Sequence, residues 1–156
     1  MQRELAKLQQ YCDRATRAGA RDITVADVID GIACVMPKDK RTADKFCHFI
    51  GLIAYWAKSS GCDVILQAGG IPVLFDCLRS WPREKGVVTW VCLSLTSLAG
   101  WGSDTVQSAM RGVPDCEALL IAAHKSKLDD GNAADALEKL GYKKPEPASG
   151  CQCAIM

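Results

Sequence analysis

Gly70-Ile-Pro-Val-Leu-Phe-Asp-Cys-Leu78, followed by Trp90-Val-Cys-Leu-Ser-Leu-Thr-Ser-Leu-Ala99, decides the fold, because both segments return at one offset. The second segment has counterparts in His48-Phe-Ile-Gly-Leu-Ile-Ala-Tyr-Trp-Ala57 and Asn132-Ala-Ala-Asp-Ala-Leu-Glu-Lys-Leu-Gly141. Their final small residues fall at 57, 99 and 141, two steps of 42. Within them Ile53, Leu95 and Leu137 coincide, as do Trp56, Leu98 and Leu140. The first segment keeps the same step: Ile29, Ile71 and Val113 align, then Ile32, Leu74 and Cys116, then Val35, Cys77 and Leu119, then Met36, Leu78 and Leu120. Ile71-Pro72 returns as Val113-Pro114, with Gly70 and Gly112 in front of them. A fixed period of this length marks a repeat architecture in which each unit buries its apolar face on the next.

Inside each segment the apolar residues stand three and four apart, as Ile71, Leu74 and Leu78 do, which is the spacing of one helix face. Both segments of every unit are therefore predicted helices. Pro72 and Pro114 fit a first helical turn, where a missing N–H costs nothing, and Gly70 and Gly112 fit the sharp turn between helices. Gln2 to Ala18 places Leu5, Leu8, Cys12 and Ala15 on one stripe and predicts a helix that covers the first unit.

Gly70 to Leu78 resembles the second helix of armadillo repeats, and Trp90 to Ala99 resembles their long third helix. Asp63 to Ala68 is similar to the first helix, with Asp104 to Arg111 as its next copy, so the resemblance spans roughly residues 24 to 142. It implies an all-α, right-handed superhelical solenoid of about two and a half repeats, with a capping helix over 1–20, repeats over 21–142 and a flexible tail over 143–156. It also implies that the third helices line a concave face that grips a partner protein or extended peptide. At helical spacing Trp90, Leu93 and Ser97 form one stripe. His48, Gly51 and Tyr55 take the corresponding places one unit earlier, and Asn132, Asp135 and Lys139 one unit later. Armadillo proteins often carry an Asn where Tyr55, Ser97 and Lys139 stand here. Its absence argues against basic localisation signals as the ligand. Trp90 and Tyr55 are equally compatible with packing between units, and Trp101, between Gly100 and Gly102, is expected to cover an inter-unit seam.

After Tyr142 the chain turns polar and proline-bearing, then ends Cys151-Gln-Cys-Ala-Ile-Met156. Cys153-Ala-Ile-Met156 fits the pattern for prenylation, with Met pointing to a farnesyl group, and Cys151 is placed for palmitoylation as the second anchor that stable attachment needs. The expected setting is a cytoplasmic protein held peripherally at a membrane by lipid. The alternative is a soluble partner-binding or self-associating module with no lipid anchor, and homo-oligomerisation is compatible with either.

Composition narrows the remaining classes. A net charge of +1, with cations scattered among nearly equal numbers of acids, gives no footprint for nucleic acid. The cysteines total nine, an odd number, and most lie in apolar runs, which reads as small buried hydrophobes in a reducing compartment. The polar start at Met1-Gln-Arg-Glu4 does not resemble a secretory signal, and the apolar run Phe46 to Ala57 spans about 18 Å as a helix, too short to cross a bilayer. Cys47, His48, Cys62 and His124 are the residues from which a catalytic or metal centre could be built. Cys47 and His48 diverge by about 100 degrees as helix neighbours, so no enzyme activity, cofactor or metal is expected.

Overall fold

The structure is a computed structural model that describes residues 1–35 and 39–146. Among the described residues it contains nine helices and no strand, so the chain is all-α. In chain order they are α1 (Gln2–Ala18), α2 (Val25–Val35), α3 (Lys40–Trp56), α4 (Lys58–Gln67), α5 (Gly70–Ser80), α6 (Lys85–Trp101), α7 (Asp104–Arg111), α8 (Cys116–Ser126) and α9 (Asn132–Lys139). Met36, Pro37 and Lys38 and the tail residues Cys151 and Cys153 lie outside the described residues.

Local chemistry starts several of these helices. Thr24 and Asp27 close a reciprocal box at the head of α2: the Asp27 carboxylate accepts from the Thr24 amide at 2.8 Å and the Thr24 hydroxyl accepts from the Asp27 amide at 3.3 Å. Asp39 caps α3 by accepting from the Thr42 amide at 3.1 Å, and buried Asp129 accepts from the Ala133 amide at 3.0 Å in the first turn of α9. Pro72 falls within the first turn of α5, as its ring allows. Pro114 does not open α8: the backbone passes through a left-handed Asp115 at φ 62°, and the helix begins at Cys116.

The helices α3, α6 and α9 pack in series, α3 against α6 and α6 against α9, with α1 on the other side of α3. Short helices follow the same order, α2 beside α5, α5 beside α8, and α4 beside α7. Cross-helix neighbours fix direction. An added Cβ at Gly86 would meet Asp44 and one at Gly51 would meet Trp90, while the Thr96 hydroxyl donates to the Asn132 carbonyl and Lys139 reaches Gly100. Residue numbers rise together on each pair, so α3, α6 and α9 run parallel and their C-terminal ends share one edge.

Ile53, Leu95 and Leu137 are all fully buried between these helices, each contributing about 1.5–3 kcal/mol by leaving water. The other aligned sets behave less uniformly. Ile71 and Val113 are buried, whereas Ile29 is 52% exposed, because no earlier short helix packs on α2 as α2 packs on α5. Leu98 and Leu140 are buried, whereas Trp56 is 51% exposed. Here the period slips. The bodies of α3 and α6 stay level at the sequence offset, but α6 continues for one more turn, so Trp56 and Trp101 occupy the last position of their helices. At the corner after α3, Gly61 is obligatory in size, since an added Cβ would lie 2.5 Å from the Ile53 carbonyl oxygen.

The amphipathic α1 buries Leu8, Cys12 and Ala15. A polar clasp, not evident in the repeat pattern, ties it to α2. Lys7 pairs with Asp30 at 2.6 Å, the Tyr11 hydroxyl donates to the same carboxylate, and Arg14 pairs with Asp27. Tyr11 also stacks on Phe49 of α3, with ring centroids 5.3 Å apart.

Candidate partner-binding face

The parallel helices α3, α6 and α9 present one face composed of residues from three distant parts of the chain. Its centre is a stacked pair: the His48 imidazole lies on the Trp90 indole, with ring centroids 4.1 Å apart and planes inclined by 26°. Gly51 makes this possible, because a Cβ there would stand 3.2 Å from the Trp90 ring. Burial, reinforced by the charge of Lys45 and opposed by Asp44, holds His48 below its ordinary 6.5, so the ring is neutral near pH 7. Trp90 and Leu93 are half-buried, leaving an apolar platform open to solvent beside polar Asp44 and Lys45.

The rest of the expected stripe divides. Asp135 and Lys139 are exposed on α9, and a Cβ at Gly100 would lie 3.0 Å from the Lys139 ammonium nitrogen, so that side chain leans across onto α6. Asn132 is half-buried and donates to the Asp129 carbonyl at 3.0 Å, bracing the turn before α9. Ser97 is only 7% exposed and its carbonyl accepts from the Cys62 thiol of α4 at 3.9 Å, so it supplies little contact surface. Tyr55 is 54% exposed and meets Trp56 edge-on, with centroids 5.1 Å apart. It belongs to the C-terminal rim of the face.

Trp101 departs from its expected role as a seam cover. It is 49% exposed, and the Lys58 ammonium lies over its ring, 4.9 Å from the centroid. Lys58 reaches it from a left-handed backbone, φ 51°, at the corner between α3 and α4. Repeat alignment gave no sign of this rim, since it paired Trp56 with buried leucines. The Gly100-Trp-Gly102 context was the one available signal.

The two histidines lie apart in the fold. His48 faces Trp90, while His124 on α8, which does not touch α3, places Nδ1 3.7 Å from buried Asp129. The described cysteines are buried and free. Burial pushes Cys12, Cys62 and Cys116 up to about 11 and Cys92 up to about 12, so their thiols are protonated and unreactive at neutral pH. Comparison with known proteins finds no matching family model, no matching curated protein and no matching solved structure.

Proposed function

We propose that the chain is a short armadillo-like solenoid that holds a partner protein or extended peptide on the α3, α6 and α9 face, and is tethered to a membrane by a farnesyl group on Cys153. The observation that carries the binding role is the His48–Trp90 platform, a half-buried aromatic surface left open at the centre of three parallel helices. Half-buried tryptophan in such a position is the residue type that dominates binding energy at interfaces. Support for the solenoid comes from the serial packing of α3, α6 and α9, of α2, α5 and α8, and of α4 on α7. Asp135 and Lys139 then supply polar contacts at one end of the groove.

A photo-crosslinking residue at Leu93, followed by mass spectrometry of the captured peptides, tests the groove. Crosslinks should concentrate on one partner segment and fall about tenfold or more when Trp90→Ala removes the platform, the usual cost of a central aromatic anchor. Equal capture by the Trp90→Ala chain would refute the assignment. The tether needs Met156 to be the carboxy terminus in the cell. Intact mass of the cellular protein and of Cys153→Ser checks both points, and an unmodified wild-type mass would remove the tether.

A further inference from the structure

Three aromatic rings stand in solvent at the edge where α3, α6 and α9 end. Tyr55 and Trp56 close α3, Trp101 closes α6, and each is about half exposed. They are contiguous: Tyr55 meets Trp56 edge-on, and Lys58, two residues beyond Trp56, lies over Trp101. Lys139 adds a second cation beside Gly100, one residue from Trp101. Soluble surfaces seldom gather large apolar rings in this way without a use for them. Indole and phenol rings with flanking lysines match the bilayer interface, where an apolar body enters the headgroup region and polar tips and ammonium groups stay wet.

The position of the tail selects the membrane as occupant. After α9 the chain turns at Gly141, and Lys144 pairs with Glu138 at 3.3 Å, so the described part of the tail stays at the same edge as the rings. Cys153 stands seven positions beyond Glu146, a reach of at most about 25 Å. A lipid on Cys153 therefore tethers the chain from the C-terminal end of α9, within reach of this edge. One prenyl chain gives only reversible attachment, with an association constant of about 10⁴ M⁻¹, and a second contact is needed for stable binding.

We infer that the Tyr55, Trp56 and Trp101 rim, with Lys58 and Lys139, is a membrane-contact surface that docks the fold edge-on against a bilayer and leaves the His48–Trp90 face open to a partner. The inference takes its orientation from the prenyl tether proposed above. No single helix among the described residues is long and apolar enough to span a membrane, so the contact is interfacial. Asp104, three residues past Trp101, offsets part of the lysine charge. Aromatic burial accordingly outweighs attraction to anionic lipid.

The test is flotation of four full-length proteins, purified in their cellular form, with phosphatidylcholine vesicles containing a minority of phosphatidylserine. They are the wild type, Trp56→Ser/Trp101→Ser, Cys153→Ser, and the combination. The rim substitutions should lower vesicle partition about tenfold with or without the lipid, since two half-exposed indoles lose their burial in the interface. Brominated phosphatidylcholine should quench the fluorescence of wild type, and quench it far less in the rim variant. Trp56→Phe/Trp101→Phe, which keeps aromatic surface, should fall between. Far-ultraviolet helicity checks that the exposed substitutions leave the fold intact. A rim variant that partitions like wild type while Cys153→Ser loses partition overturns the rim and keeps the tether. The reverse pattern keeps the rim and removes the tether. Unchanged vesicle binding together with loss of a protein crosslink at Tyr55 would make the rim a protein contact and overturn the inference.

Discussion

Adding one methyl group to Gly61 should destabilise the fold, whereas adding the same group to Gly100 should not. Both glycines sit in helices, so alanine gains backbone propensity at each, up to about 1 kcal/mol in a helix interior. Their surroundings differ. At Gly61 the new Cβ would stand 2.5 Å from the Ile53 carbonyl oxygen and 2.9 Å from the Ala57 Cβ. Neither can swing aside, because the first is backbone hydrogen-bonded within α3 and the second is one bond from it. Helix α4 has to back away from α3, loosening buried Cys62 and Ile65. Overpacking of this kind costs about 3 kcal/mol at the upper end of its usual range, which leaves a net loss of about 2 kcal/mol after the propensity gain. In a domain of this size that lowers the melting temperature by about 4–8 °C. At Gly100 the Cβ would meet only the end of Lys139, 3.0 Å away, and a flexible side chain can move. Thermal unfolding followed by circular dichroism compares Gly61→Ala and Gly100→Ala directly. A Gly61→Ala protein as stable as wild type would refute the close α3–α4 crossing, and with it the corner that points Lys58 at Trp101.

Acid should release α1 before it unfolds the centre of the molecule. The Lys7 ammonium and Tyr11 hydroxyl hold Asp30 below its ordinary 3.8; at Asp27 burial pushes upward, but hydrogen bonds from Thr24 and Arg14 outweigh it and bring the carboxyl below that value too. A depressed carboxylate stabilises the docked helix fully above its unfolded value and less as pH falls through the folded one, so the clasp weakens below about pH 4. Amide exchange in α1, corrected for intrinsic rates and referred to α6, should quicken at about pH 3, and constant relative protection would count against the clasp. The buried thiols give a second readout. Cys12, Cys62, Cys92 and Cys116 should alkylate at mildly basic pH only as fast as the chain opens, with a rate that rises with urea, and immediate labelling of any of them in the native state would contradict its burial.

The helical class was legible because burial depends on spacing along one helix. Ile53, Leu95 and Leu137 stand at matching places on matching faces, and all three are buried. What periodicity omits is the neighbour. Ile29 carries the same pattern as Ile71, but no earlier short helix packs against it, so identical sequence signals end in opposite exposure. Ser97 shares a stripe with Trp90, yet α4 covers that part of α6, a fact set by how the corner after α3 folds. Trp56 and Leu98 differ in exposure for a related reason: the alignment assumed helices that end at one level, and α6 runs one turn past the level at which α3 stops. The α1 clasp joins residues 13 to 23 positions apart, between helices whose mutual angle no linear pattern encodes.

These gaps have a common physical origin. A periodic pattern specifies which face of a helix meets its neighbours, and says least about edges and ends, where the neighbours stop. Several features that departed from expectation lie at such places: Ile29 on the first short helix, the clasp on α1, and the rings where α3 and α6 terminate. Interior apolar residues are consumed by packing. Apolar residues at an edge are not, so they are free to be selected for contact with something else. The exposed Tyr55, Trp56 and Trp101 are therefore stronger evidence of an external contact than equally large residues in the core.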